Sequence, residues 1–126
     1  MKEPKSTISP NDIFRGVIIE LNKRGQSEFK YDMIEWHKAF YSASKKFDNI
    51  EPKFEISKKT NPYVHDVEKG FRMLYLNGYL SLRESVNEYK YRINDPEHLK
   101  DHNKLLLKRQ SEQLEQIANY ICDNIK

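Results

Sequence analysis

Residues 61–93 decide the fold, and they read NPYVHDVEKGFRMLYLNGYLSLRESVNEYKYRI. The first half has the pattern of one amphipathic helix, with Pro62 in the first turn, where its missing N–H costs nothing. Gly78 can adopt the left-handed conformation that ends helices. The residues after it alternate between apolar and polar with a period of two, over 79–84 and again over 88–93. The stretch therefore predicts a helix that leads directly into a two-stranded hairpin.

Gly70 lies inside this predicted helix, whose apolar stripe consists of Val64, Val67, Phe71 and Leu74. A glycine in a helix interior costs roughly 1 kcal/mol relative to alanine. A helix that carries this cost usually has a packing reason for it. We therefore expect another backbone to pass close to Gly70.

Further elements are expected upstream of this stretch. Residues 9–12 are typical of a helix start, and the first helix ends at Gly25. A brief strand follows within residues 26–31. A second helix with one broad apolar face runs from about residue 32 to residue 46. The connector over residues 47–59 contains an alternating pair that predicts another short strand.

Asp95 and Pro96 open a last helix, whose apolar rhythm continues to the end of the sequence. The predicted fold class is mainly α with a small β-hairpin, that is, α+β. The predicted organisation is a flexible N-terminus over residues 1–8, one domain over residues 9–95, and a C-terminal helix over residues 96–126.

The composition predicts a small core made of aromatic side chains. The 126 residues fit one domain that is large enough to bury a core. Only 37% of the residues are hydrophobic and 33% are charged, whereas 12% are aromatic. Eight Tyr, six Phe and Trp36 therefore supply bulk that aliphatic side chains do not.

Charge and targeting signals restrict the partners and the compartment. The net charge is +3 at pH 7, and its surplus lies in residues 1–95. This charge is compatible with nucleic-acid binding without requiring it. A single cysteine, Cys122, excludes an internal disulfide. We find no signal peptide and no run of 18 apolar residues, so we expect a cytoplasmic protein without a membrane partner.

The order of these elements resembles the winged helix-turn-helix superfamily, in the arrangement where a trailing helix joins two subunits, as in PadR-type regulators. The resemblance rests on VEKGFRMLYLNGYL at residues 67–80 and on EYKYRI at residues 88–93. In that family a recognition helix ends in a leucine-rich turn and a glycine, and an apolar residue then opens the wing. The chain departs from the pattern in its long connector and in two acids on the helix, Asp66 and Glu68.

The resemblance implies a transcriptional regulator that binds double-stranded DNA. The third helix would enter the major groove, with Lys69 and Arg72 as its principal contacts. The hairpin would hold adjacent phosphates as a wing, and two lysines before the helix would add attraction that weakens with salt. The expected DNA-binding residues are Lys58, Lys59, Tyr63, His65, Lys69, Arg72, Arg83, Lys90 and Arg92.

The last helix is expected to form a homodimer interface. Leu107, Leu114 and Ile121 recur every seven positions, with Ile117 between the latter two. Such spacing is typical of a contact between two helices. The expected interface residues are thus Leu107, Leu114, Ile117 and Ile121. Packing of this helix against its own domain explains the same pattern and stays open.

A protein-binding adaptor with the same fold is the main alternative function. Its contact surface would consist of Tyr63, Tyr75, Tyr79 and Tyr89. The cations of the third helix and of the hairpin would then be solvated side chains, paired with acids one turn or one strand away.

The sequence gives weaker support to a catalytic site or a metal site. His98 and His102 are four residues apart on a predicted helix, but no third metal ligand is evident. Glu88 and Lys90, with Asp66 as a distant partner, resemble part of a magnesium-dependent nuclease site. We expect no catalytic residue, no metal and no cofactor.

Overall fold

A computed structural model describes residues 8–30, 33–48, 50, 56–57, 63–85, 88–101 and 108–125. In chain order the elements are α1 (Pro10–Lys23), β1 (Glu28–Lys30), α2 (Met33–Lys46), β2 (Ile56–Ser57), β3 (Tyr63–Val64), α3 (His65–Leu76), β4 (Leu80–Ser85), β5 (Glu88–Ile93), α4 (Pro96–Asp101) and α5 (Lys108–Asn124). The fold is mainly helical with a small antiparallel sheet, which confirms the predicted α+β class.

Capping residues set the start of α1 and the end of α3 where the sequence predicts them. Ser9 caps α1, because its hydroxyl accepts a hydrogen bond from the backbone N–H of Asp12. Gly78 has a φ of 82°, and its N–H donates to the carbonyl of Tyr75. The next N–H donates to the carbonyl of Leu74. These two hydrogen bonds form a Schellman motif, which ends α3 and turns the chain into the sheet.

The start of α3 differs from the prediction. The helix begins at His65, and Val64 belongs to β3 instead of to the apolar stripe of the helix. This two-residue strand pairs antiparallel with β2, where Ile56 lies opposite Val64. The strand predicted around Ile56 is therefore confirmed at β2. Pro62, the predicted first-turn residue, lies outside the described residues.

A three-stranded antiparallel sheet has the order β1-β5-β4. The hairpin of β4 and β5 is in register from Leu80 opposite Ile93 to Ser85 opposite Glu88. The strand β1 adds to the other edge of β5, with Phe29 opposite Tyr91. The predicted hairpin and the predicted short strand within residues 26–31 are thus confirmed.

Aromatic rings join the helices to the sheet in a buried cluster, as the composition predicts. Phe14 of α1 meets Phe71 of α3 edge to face, with ring centroids 4.9 Å apart. Trp36 of α2 lies 5.1 Å from Phe71 and 5.2 Å from Phe29 of β1. Tyr91 of β5 lies 4.8 Å from Phe71. Edge-to-face and offset ring pairs add roughly 0.5–1.5 kcal/mol each beyond the area they bury.

The C-terminal part of the chain packs on its own domain. The structure describes two helices, α4 and α5, where the sequence predicts one, and residues 102–107 between them lie outside the described part. Leu99 of α4 is fully buried. The helix α5 packs along α1 and α2, and Arg24 at the end of α1 bonds to Asp123 at 2.9 Å.

Three of the four residues expected at a dimer interface are buried inside this single chain. Leu114, Ile117 and Ile121 are 5%, 0% and 0% exposed, because α1 and α2 cover them. A second copy therefore has no access to these side chains while α5 keeps its position. Leu107 lies outside the described residues. The seven-residue repeat describes the face of α5 that packs on its own domain, which corrects the expected interface.

The N-terminus also differs from the prediction at its last residue. Ile8, which the sequence assigns to a flexible segment, is fully buried and forms a bridge with Ile50. Residues 1–7 lie outside the described residues. The domain thus begins at least one residue earlier than predicted.

Gly70 is close to an aromatic ring and not to a backbone. A Cβ atom at this position would lie 2.6 Å from Cγ of Phe14. The expected close approach is therefore present, but its partner is a side chain at the centre of the aromatic cluster. The rings of Trp36, Phe40 and Phe71 contact this ring, so a Cβ atom at position 70 would displace a side chain that is packed in the core.

We predict that Gly70→Ala lowers the free energy of unfolding although alanine is the better helix former. Overpacking of a core costs typically 1–3 kcal/mol, which exceeds the roughly 1 kcal/mol gained in helix propensity. Gly16→Ala is the matched control, since its Cβ would meet the side chain of Leu114 at 3.0–3.4 Å, a milder contact than the one at Gly70. Urea denaturation followed by circular dichroism should place Gly70→Ala well below Gly16→Ala. Equal stabilities would contradict this packing account.

Candidate nucleic-acid interface

The outward side of α3 carries a line of four exposed side chains. His65, Lys69, Arg72 and Leu76 follow one another at steps of four, three and four residues, and all four are exposed. At 3.6 residues per turn these steps place them on one side of the helix. We call this set the outer stripe of α3.

The opposite side of α3 fixes the direction of this stripe. Val67, Gly70, Phe71 and Leu74 are buried, and the ring of Phe71 is enclosed by the aromatic cluster. Rotation of the helix would pull Phe71 out of that cluster. The core therefore holds the outer stripe towards solvent.

The side chain of Glu68 points towards α2. Its carboxylate Oε1 lies 3.3 Å from Nε2 of His37, which is fully buried on α2. Glu68 therefore joins α2 to α3, which gives a structural reason for one of the two acids that depart from the family pattern. Asp66 is half-buried.

Lys69 and Arg72 do not pair with acids one turn away. Neither side chain forms an ion pair with any residue in the described part of the chain. The alternative in which these cations pair with acids one turn away therefore does not hold for the described residues. Two exposed cations and one imidazole share the outer stripe with a single apolar residue, Leu76.

The cations of the hairpin lie on a different surface. Side chains alternate across a sheet, and Phe29, Tyr91 and Leu82 point to the side of α3. Their neighbours along each strand point away from α3. This second side, which we call the outer sheet face, has Glu28, Lys30, Ser81, Arg83, Lys90 and Arg92 as its described side chains, and the register of the hairpin continues it to Ser85 and Glu88.

The outer sheet face aligns its charges in two rows. Lys30, Lys90 and Arg83 lie opposite one another across the three strands. In the next row Arg92 lies between Glu28 and Ser81. Arg83 reaches diagonally to Glu28, with Nη1 and Oε1 2.9 Å apart. The described side chains of this face thus carry four positive charges and one negative charge.

The structure brings the expected DNA-binding residues together only in part. One group of them lies on the outer stripe of α3 and another on the outer sheet face, and these surfaces face different directions. Lys58 and Lys59 lie outside the described residues, and Tyr63 belongs to β3. Lys30 is an addition that the sequence did not suggest, since only the pairing of β1 with β5 places it beside Lys90.

Apolar side chains are exposed where α3 meets the hairpin. Tyr75 is 52% exposed and Leu82 is 42% exposed. They line a cavity of about 270 Å³ together with Glu68, Phe71, Arg72 and Tyr91. Leu76, at 72%, is the most exposed of the large apolar side chains in the described residues. This part of the surface can therefore contact apolar groups as well as charged ones.

Metal ligands do not gather in the described part of the chain, where no group of three or more His, Cys, Asp or Glu could hold an ion. His102, one of two residues considered for a metal site, lies outside it. Nδ1 of His98 lies 3.6 Å from the carboxylate of Asp95, and its ring contacts Tyr79. Among the helices of the described residues, none combines the length and the apolarity needed to cross a membrane.

Comparisons of the chain with family models, with curated proteins and with solved structures gave no match.

We predict that His37 makes the protein less stable in mild acid. Burial lowers the pKa of His37 below its usual 6.5, although Glu68 acts in the opposite direction. The unfolded chain therefore takes up this proton at a higher pH than the folded protein does. Stability is retained above about pH 6.5 and falls as the pH decreases below it, by at most about 1.4 kcal/mol per pH unit.

Urea denaturation at pH 7.5, 6.5 and 5.5 measures this dependence. His37→Gln, which removes the titrating group and keeps a polar side chain of similar size, should reduce the loss between pH 6.5 and 5.5. His98→Gln is the matched control, because it removes an exposed imidazole by the same substitution. An identical loss in the parent and in His37→Gln would show that another group titrates.

Proposed function

We propose that this chain is a winged-helix DNA-binding protein that acts as a transcriptional regulator, with the outer stripe of α3 as its principal contact. The fold supports the proposal by its order of elements: helix, strand, helix, two strands of two residues each, helix, then a hairpin. In the sheet order β1-β5-β4, the strand between the first two helices pairs with the second strand of the hairpin. A winged helix has the same layout.

The observation that carries the proposal is the chemistry of the outer stripe. Its cations are exposed, are held outward by the buried Phe71, and form no ion pair with the described residues. Long cationic side chains on one line of a helix suit phosphates and the acceptor atoms of guanine in the major groove. Leu76 would contact an apolar group there, such as the methyl group of thymine.

The dimensions of α3 also fit a major groove. Its 12 residues give a rod about 18 Å long at 1.5 Å per residue. The groove is about 12 Å wide and admits one α-helix. A regulator that binds as a dimer would have to associate through surfaces other than Leu114, Ile117 and Ile121, which the domain itself covers.

We predict that Lys69→Gln/Arg72→Gln weakens the binding of a mixed-sequence duplex about tenfold or more, since each good base contact contributes roughly 1–3 kcal/mol. The dependence of affinity on salt should become shallower by about 0.9 in slope for each phosphate that the variant no longer neutralises. Fluorescence anisotropy with a labelled duplex at several salt concentrations measures both quantities.

Lys23→Gln/Lys38→Gln is the matched control. These lysines are exposed on α1 and α2, so the control removes the same charge from other surfaces. It should bind nearly as well as the parent. Equal weakening in both double variants would mean that only net charge matters, and no binding by the parent at low salt would refute the proposal.

A protein-binding adaptor is the second candidate, and one observation favours it. Tyr75, Leu76 and Leu82 expose apolar surface next to the outer stripe, and aromatic residues are enriched in protein interfaces. Tyr79, another expected contact, is half-buried against His98. The two candidates differ in their response to duplex DNA, because an adaptor should not bind it and should not respond to Lys69→Gln/Arg72→Gln.

A further inference from the structure

The cavity between α3 and the hairpin combines apolar side chains with one acid and one base. It has a volume of about 270 Å³ and is lined by Glu68, Phe71, Arg72, Tyr75, Leu82 and Tyr91. The four residues from α3 have the i, i+3, i+4, i+7 spacing of one helix face. Leu82 and Tyr91 lie opposite each other in the hairpin. The cavity therefore has one wall from the helix and one wall from the sheet.

The apolar part of this cavity is mostly aromatic. The ring of Phe71 is buried and lies 4.8 Å from the ring of Tyr91, so these two packed rings form its floor. Tyr75 and Leu82 are 52% and 42% exposed and form its sides. A ligand with an apolar group would remove this surface from water, which favours binding.

Two opposite charges line the cavity one helical turn apart. An acid followed four residues later by a base is the favoured order for an ion pair on a helix, yet Glu68 and Arg72 do not form one. Oε1 of Glu68 lies instead 3.3 Å from Nε2 of His37. The structure therefore places a carboxylate and a guanidinium beside the same cavity without joining them.

The contact with His37 leaves the negative charge of Glu68 in place. Burial lowers the pKa of His37 below its usual 6.5, although Glu68 acts in the opposite direction, so the imidazole is neutral at pH 7. A neutral imidazole donates one hydrogen bond, whereas a carboxylate has about four lone-pair sites on its two oxygens. Glu68 can therefore accept a hydrogen bond from a ligand while it keeps its contact with His37.

These lining residues select a small zwitterion that carries an apolar group. A ligand ammonium would bind Glu68, and a ligand carboxylate would accept two parallel hydrogen bonds from Arg72. An anion without an ammonium group would meet the charge of Glu68, and a cation without a carboxylate would meet that of Arg72. The volume is just below the range of about 300–1,000 Å³ for clefts that hold drug-sized ligands. An α-amino acid with a large apolar side chain is small and has all three groups.

We propose that the cavity between α3 and the hairpin binds a free α-amino acid with an aromatic or large aliphatic side chain. Glu68 holds its ammonium group, Arg72 holds its carboxylate, and Tyr75 and Leu82 cover its side chain. This binding goes beyond the proposed function, because it does not require DNA. One consequence rests on the proposed function: since Arg72 belongs to both sites, the bound amino acid withdraws it from DNA.

Titration of the labelled protein with L-phenylalanine, L-tryptophan and L-leucine at pH 7, followed by nuclear magnetic resonance, tests the proposal. At least one of them should shift the signals of the cavity residues and bind with a Kd of about 1 mM or below, as expected for a ligand of this size. The amine and the acid that lack one of its charged groups should each bind about tenfold or more weakly. For L-phenylalanine these analogues are phenethylamine and hydrocinnamate.

Matched variants test the two charged residues. Arg72→Gln should weaken binding of the amino acid about tenfold or more and remove its advantage over the amine. Glu68→Gln keeps an acceptor for His37 and should remove the advantage over the acid. Lys69→Gln is the control for Arg72→Gln, because it removes the same charge from the same helix outside the cavity lining. Glu112→Gln, at an exposed position of α5, is the control for Glu68→Gln. Both controls should bind like the parent, and thermal denaturation establishes that each variant is folded.

Three results would overturn the proposal. One is that none of the three amino acids binds in this range. Another is that the amine or the acid binds as tightly as the amino acid. The third is equal weakening by Arg72→Gln and Lys69→Gln, which would mean that net charge alone attracts the ligand.

The failure of this inference differs from the failure of the proposed function. If an amino acid binds as described and the parent does not bind duplex DNA at low salt, the cavity is supported and the proposed function is refuted. If duplex binding depends on Lys69 and Arg72 while no amino acid binds, the cavity is refuted and the proposed function stands. When both bind, a saturating amino acid should weaken duplex binding as much as Arg72→Gln does, and an unchanged affinity would refute the shared use of Arg72.

Discussion

The contact between Phe14 and α3 is the constraint on which the rest of the structure depends. The ring of Phe14 lies against the bare backbone of Gly70 and meets Phe71 edge to face. Because glycine has no side chain, α1 and α3 approach closely enough for Phe71 to reach Trp36 and Tyr91 as well. One residue type at position 70 thus determines how α1, α2, α3 and the sheet share a core.

The same arrangement determines which side chains of α3 and of the sheet are exposed and in which direction they point. In α3 the side chains of Val67, Phe71 and Leu74 pack in the core, and the carboxylate of Glu68 contacts the buried His37. The exposed side chains of α3 thus include Lys69 and Arg72, beside the apolar Met73, Tyr75 and Leu76. In the sheet, successive side chains of a strand point to opposite faces. Because the ring of Tyr91 faces the core, its neighbours Lys90 and Arg92 face solvent. Cationic surfaces arise as the reverse side of the aromatic core.

Features encoded by neighbouring residues could be predicted from the sequence, and features that need a distant partner could not. Ser9 and Gly78 act within a few residues, so the ends of α1 and α3 followed from their positions. The predicted start of α3 was wrong, because Val64 pairs with Ile56 across the connector. The repeat of Leu114 and Ile121 indicated a helix contact but not which helix supplies it. Lys30 was missed for the same reason, since no local signal identifies β5 as the partner of β1.

The pairing of β1 with β5 has a consequence for the order in which the chain can fold. The hairpin of β4 and β5 can form from residues that are close in sequence. Phe29, in contrast, can pair with Tyr91 only after Tyr91 has emerged from the ribosome. The hydrogen bond between Arg24 and Asp123 forms later still, because these residues are 99 positions apart. Such distant contacts slow folding because long loops must close first. During synthesis the side of α1 that packs on α5 therefore stays uncovered until α5 has been made, and exposed apolar surface of this kind favours aggregation.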